Sequence, residues 1–144
     1  MVDMTVQDGL LEARLLQVEV NAISAAFSSL GSKAAQLHRY LVSSRPQLFP
    51  DLSLENMPEN DSHRLVPEAL HSAHQHFLAD RSSRLAAGQR VVVMMVAQPG
   101  ERNRIDQRLI EFEAFQRFGL GFLRSSLAEV AQTARLDSHK NLIM

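Results

Sequence analysis

Leu16, Val20, Ile23, Phe27, Leu30, Ala34, Leu37 and Leu41 recur at alternating intervals of four and three residues. That spacing keeps side chains along one side of a helix and predicts a long apolar seam. Thr5 suits the start of such a helix, because its hydroxyl can cap free amides and Asp8 would sit in the first turn. Gly31 is a weak point within it, a place to bend or to pack closely. Ser43-Ser-Arg-Pro46 is a stop, since proline lacks a backbone donor and restricts the residue before it.

Three prolines punctuate the next stretch, so residues 46–62 read as an irregular connection. Its apolar side chains Leu48, Phe49, Leu52, Leu54 and Met57 either seal the end of a bundle or form a docking segment for a partner. A second helix is expected from about 67 to 97, with Pro67 at its first position and Glu68 at its positive end. The run Val91-Val-Val-Met-Met-Val-Ala97 would also suit a short buried strand. No second convincing strand offers itself as a partner, and the helix is preferred; a strand here would pair between copies. Pro99-Gly100 marks a turn, and a third helix is expected from about Glu101 to Ala134. Ile105, Leu109, Phe112, Phe115 or Gln116, Gly119, Phe122, Leu123, Leu127 and Val130 trace its inward surface. Four of the seven phenylalanines lie on this segment, which makes it the central packing element.

The fold class this implies is all-α: one domain spanning 1–144, an elongated bundle of three main helices completed by dimerisation. Leu16, Val20, Ile23, Phe27, Leu30, Leu37 and Leu41 form the expected oligomer interface. With 144 residues, 45% of them hydrophobic and 22% charged, the chain has the composition of a folded domain.

Four of the six histidines fall between His63 and His76. On a helix, Glu68 and His71, and then His71 and His74, are three apart and share an edge. With Glu111 or Glu113 from a neighbouring helix they would make a candidate site for iron, manganese or zinc. Only one Glu-x-x-His pair is present, so surface or interface histidines are the simpler reading, and no cofactor is expected. Arg102, Arg104 and Arg108 alternate with Glu101, Asp106 and Glu111, the pattern of a mixed-charge solvent face.

The net charge is -1, with residues 1–62 at -4 and 63–144 at +3. No global field draws in nucleic acid or an anionic membrane. The chain has no cysteine, which removes thiolate zinc sites and cysteine nucleophiles. Phosphate-loop, dinucleotide-binding and nucleophile-elbow patterns are absent. No apolar run is long enough to span a membrane, and the acidic N-terminus does not resemble a signal peptide, so a cytoplasmic location is expected. Together these readings point to a non-enzymatic helical interaction or regulatory module that forms a homodimer and binds a regulatory protein partner. The alternative is a metal- or small-ligand-binding bundle, a sensor centred on Glu68, His71 and His74.

Overall fold

The apolar seam predicts a helix from Thr5 onward, but the chain opens as a β-hairpin. In this computed structural model, which describes residues 2–7, 10–15, 26–81 and 85–144, β1 (Val2–Gln7) pairs antiparallel with β2 (Leu10–Leu15). The register runs from Val2 opposite Leu15 to Gln7 opposite Leu10. The sequence between them, Asp8-Gly9, is a two-residue hairpin signal that outweighs the helix-forming Leu10-Leu-Glu-Ala after it. Leu16, Val20 and Ile23 of the expected interface lie outside the described residues.

Helix α1 (Ser28–Ser44) occupies the later part of the seam. Leu30 and Leu41 are half-buried, whereas Phe27 and Leu37 are exposed. Its buried positions are the small Ser29 and Ser32, with Val42. Serine at these places lets α1 approach the start of α2 (Ser62–Arg81): Ser32 Oγ lies 3.1 Å from Ser62 Oγ and accepts from the His63 amide at 3.2 Å. The 46–62 connection is irregular as expected, with single 3-10 turns at Pro46–Leu48 and Leu54–Asn56. Arg39 on α1 donates to the carbonyls of Leu54 and Met57, both at 3.2 Å, which holds the connection against the helix. Leu48, Leu52 and Leu54 are exposed there, and Phe49 and Met57 are half-buried.

Helix α2 starts five residues before Pro67, which lies buried inside it, and ends at Arg81, far short of residue 97. The Val91–Ala97 run is extended. Its centre is β3 (Val93–Val96), and its partner is β4 (Phe122–Ser125), paired in parallel from Val93 opposite Phe122 to Val96 opposite Ser125. A parallel pair needs a crossover, and α3 (Arg104–Phe118) supplies it.

The third expected helix is therefore three elements. Gly119 ends α3 in the left-handed conformation (φ 64°), its amide donating to Phe115 at 2.8 Å and that of Leu120 to Ala114 at 3.4 Å. After β4, Ser126 starts α4 (Leu127–Thr133) with a reciprocal capping box to Glu129. A short hairpin closes the chain, β5 (Arg135–Leu136) with β6 (Leu142–Ile143), its turn tied by Asp137, which accepts from the His139 and Asn141 amides at 2.8 Å. The all-α, three-helix reading is thus replaced by a mixed α/β fold in which α1 and α2 pack against α3, the crossover helix of a parallel β-α-β unit.

α3 also faces the opposite way from the expectation. At 100° per residue, Asp106, Ile110 and Ala114 share one side, and that side turns inward. Asp106 is 1% exposed and Ala114 is 0% exposed. Ile105, Phe112 and Phe115, expected to be inward, stand at 68%, 58% and 63% exposure.

Candidate ligand cleft at the carboxyl edge of the parallel strands

The polypeptide leaves β3 through Ala97-Gln-Pro-Gly-Glu101 and leaves β4 through Ser126. The Ala97 amide donates to the Ser125 carbonyl at 2.9 Å, which continues the ladder one residue beyond β3. Gly100 then turns the chain at φ 74°, a conformation that favours glycine. Between these two exits lies a cleft of about 380 Å³ lined by residues 97–101, Arg104, Arg124–Ser126 and Glu129.

The polar groups around it divide into committed and open ones. Arg124 is committed: it donates to Glu111 at 2.6 Å, Gln107 at 2.7 Å and the Met95 sulfur at 3.1 Å, which fastens β4 to α3. Glu101 accepts from the Asn103 amide at 2.8 Å. Glu129 accepts from the Ser126 amide at 2.7 Å and from both the Ser126 and Ser125 hydroxyls, and these bonds, the backbone one first, hold its carboxyl below the ordinary range. Arg104 is the open group. It is exposed in the first turn of α3, and among the described residues it forms no ion pair. The residue before it, Asn103, has a buried Oδ1 with no hydrogen-bond partner among the described residues, but it does not line the cleft.

Behind the cleft, Asp106 joins α3 to the start of α1. Its Oδ1 accepts from the Ser29 and Leu30 amides at 2.9 and 2.8 Å, and its Oδ2 from the Phe27 amide at 3.0 Å. Phe27 is held there at φ 64°, an uncommon conformation for a side chain of its size. The free amides at the beginning of α1 are therefore satisfied by a carboxylate 79 residues away, and not by a local capping side chain.

The proposed histidine-centred metal ligands do not converge. Glu68 is paired with Arg117, whose hydrogen bond holds the Glu68 carboxyl below its ordinary range. His71 stacks on Phe118 at 4.3 Å, and the Arg117 guanidinium lies 4.8 Å from the same ring. His74 Nε2 lies 3.2 Å from the Val91 carbonyl. Glu111 binds Arg108 and Arg124, and Glu113 lies 3.8 Å from Arg117. Among the described residues no group of three or more His, Asp or Glu side chains gathers around a common point. The motif helix α2 carries is a packing seam against α3.

Sequence reasoning placed a turn at Pro99-Gly100 but read Arg104 as one charge among many on a solvent face. The signal available was the order of elements: a β-branched run, a Pro-Gly turn and then a helix start carrying arginine. Ligands of open α/β units enter outside the carboxyl ends of parallel strands. By fold, this chain falls in the class of α/β units built on a parallel strand pair and its crossover helix.

Within that class it belongs to the eukaryotic glutathione synthase family, whose ATP-binding-domain model matches residues 1–133. It is 29% identical to the glutathione synthetase of Dictyostelium discoideum over 133 residues, covering 92% of this chain and 26% of that enzyme. To the chloroplastic glutathione synthetase of Arabidopsis thaliana it is 31% identical over 130 residues, covering 90% of this chain and 22% of the relative. Among solved structures, a glutathione synthetase-like effector from Globodera pallida in its apo form superposes with a TM-score of 0.60 at 14% identity. That match covers 99% of this chain and 32% of the other. The chain thus spans about a quarter of the length of the curated relatives it matches.

These matches overturn the reading of a non-enzymatic helical interaction module, and with it the all-α and regulatory labels: the family is named for an enzyme and for ATP binding. They equally displace the expectation of no cofactor, or of iron, manganese or zinc, in favour of ATP. Magnesium accompanies ATP in phosphate chemistry. At the cleft, Glu101 and Glu129 each accept a backbone amide through one carboxylate oxygen. No helix of the described residues is long and apolar enough to cross a membrane.

Proposed function

We propose that this chain is the ligand-holding part of an ATP-dependent ligase of the glutathione synthetase type, and that the cleft at the carboxyl edge of β3 and β4 receives the anionic end of its substrate. The observation that carries this reading is Arg104, which lines the cleft at the start of α3 and forms no ion pair among the described residues. A carboxylate or phosphate there would meet the Arg104 guanidinium and the positive end of the helix. A peptide bearing carboxylates, such as glutathione or its γ-glutamyl precursor, presents such an anionic end.

The chemistry of ligation is left to ATP. This chain's residues bind and orient: Arg124 fixes β4 on α3, Glu129 fixes the turn into α4, and Gly100 shapes the cleft wall. The test is a titration of the ¹⁵N-labelled chain with glutathione, γ-glutamylcysteine and Mg-ATP, read by amide chemical shifts. Saturable shifts are expected in residues 98–104 and 124–129. Arg104→Gln is expected to weaken binding about tenfold, the loss of one charge-assisted contact worth roughly 1.4 kcal/mol. Absence of saturation at millimolar concentration for all three, or shifts confined elsewhere, overturns the reading.

A further inference from the structure

A second cavity opens toward the other end of β3, away from the cleft. Its volume is about 620 Å³, within the range of small-molecule sites. Four stretches wall it: the end of α2, the segment from Leu85 to Met94, Leu123 of β4, and residues 140–144. Around it Phe77, Val92, Leu123, Leu142 and Met144 are each 37–51% exposed. Apolar surface gathered in a concave place marks a binding site, whereas single apolar residues scattered over a surface do not.

The charge of this cavity has one sign. Arg81, Arg90 and Lys140 reach it from three separate parts of the chain, and among the described residues no Asp or Glu lines it. Arg81 meets Asp80 through Nε at 2.6 Å, which leaves its two terminal nitrogens without a partner among the described residues. Arg90 and Lys140 form no ion pair there at all. The neutral polar residues of the wall are already occupied: Gln89 accepts from the Ala86 amide at 2.8 Å, and Asn141 donates to Asp137 at 2.9 Å. Lys140 is held at φ 62°, a conformation that a non-glycine residue keeps only where its surroundings enforce it. Asp137 enforces it by accepting the His139 and Asn141 amides on either side of Lys140. The cation is therefore carried on a fixed turn.

We propose that this cavity binds a single-chain anionic amphiphile, a free fatty carboxylate. Its hydrocarbon lies against Phe77, Leu123 and Leu142, and its carboxylate meets Arg90 and Lys140. A small hydrophilic anion would leave the apolar wall wet, and a neutral lipid would leave the cations unpaired. A concave site suits one chain at a time and not the flat surface of a bilayer. The site lies apart from the cleft, and the proposal does not depend on which ligand the cleft takes.

The experiment titrates the full ¹⁵N-labelled chain with octanoate, decanoate, decan-1-ol, decylammonium and phosphatidylglycerol vesicles, read by amide chemical shifts. Saturable shifts from decanoate are expected in residues 88–94 and 140–144. Each added methylene should tighten binding about fourfold, so decanoate should bind roughly 15-fold more tightly than octanoate. Decan-1-ol, which lacks the charge, should bind about tenfold more weakly than decanoate. Replacing both exposed cations, Arg90→Gln with Lys140→Gln, should weaken decanoate binding by about tenfold or more while leaving the circular dichroism unchanged. Leu142→Glu, at a half-exposed position of the apolar wall, should weaken it as well. Equal affinity for decan-1-ol or decylammonium, indifference to the paired substitution, shifts confined elsewhere, a response to vesicles alone, or no saturation below the concentration at which decanoate aggregates would each overturn the proposal.

Discussion

Replacing Asp106 by alanine removes the carboxylate that satisfies three backbone amides at once, those of Phe27, Ser29 and Leu30, over distances of 2.8–3.0 Å. A hydrogen bond to a charged acceptor contributes about 1.5–3 kcal/mol, and a buried donor left without a partner costs about 1–3 kcal/mol. The three are not additive. Ser29 is buried and its amide has no easy route to water, while Phe27 is exposed and its amide can be rehydrated. We expect Asp106→Ala to cost about 3–5 kcal/mol, a fall in melting temperature of roughly 10–15 °C for a chain of this length. Asp106→Asn retains one acceptor oxygen for Ser29 and Leu30 but turns an amide donor toward the Phe27 N–H, and is expected to cost about 2 kcal/mol. Urea unfolding followed at 222 nm measures both. A loss below 1 kcal/mol for the alanine variant would refute the idea that a distant carboxylate caps α1.

Three further outcomes follow from the geometry. Because the bonds to Ser126 and Ser125 depress the folded-state pKa of Glu129, the stability it gives α4 is present above its unfolded value, about 4.3, and is lost as pH falls through the lower folded value. The ¹³Cα shifts of residues 127–133 should therefore lose helical character as acidification proceeds below that unfolded value, and Glu129→Gln should flatten that response; a wild-type helix unchanged on acidification would contradict it. Gly119→Ala meets open space but must adopt φ 64°, so it should cost about 1–2 kcal/mol through the backbone alone, and an unchanged urea midpoint would show that α3 ends by another means. Arg124→Met removes the bonds to Glu111 and Gln107 that hold β4 on α3 and should destabilise by about 1–3 kcal/mol in the same assay; a neutral result would mean the strand is positioned by its ladder.

Several features of the fold are legible in the residues themselves. Asp8-Gly9 between two six-residue segments is a hairpin signal, and Ser126-Leu-Ala-Glu129 is a capping box that opens a new helix. Both lose to a longer apolar period when leucines alone are followed. The β-branched run at 91–97 reads as a strand once a partner is granted. That partner, Phe122-Leu-Arg-Ser125, is only four residues long and continues the helical spacing of α3, so nothing local sets it apart except Gly119 and Gly121. The orientation of α3 was beyond periodicity altogether. A heptad-like stripe says which residues lie together, not whether water or protein faces them, and here Ile105, Phe112 and Phe115 are exposed. The cleft was hidden for a related reason: Arg104 stands among acids in sequence, and only the crossover shows that Asp106 and Glu111 are spent on other groups while Arg104 is not.

The bond from Phe27 to Asp106 also has a meaning in time. A helix whose cap lies in its own first turn can be closed as soon as it is made, but α1 waits for a residue 79 positions further along. During synthesis at about 5–20 residues per second, its first amides stay open for several seconds after the helix itself has emerged. Bringing the two ends together also carries a loop-closure cost, and long-range contacts of this kind slow folding. The beginning of α1 therefore reports on the arrival of α3, and a chain cut anywhere between residues 45 and 103 would have to recover by association of two pieces what the intact chain secures by closing a loop.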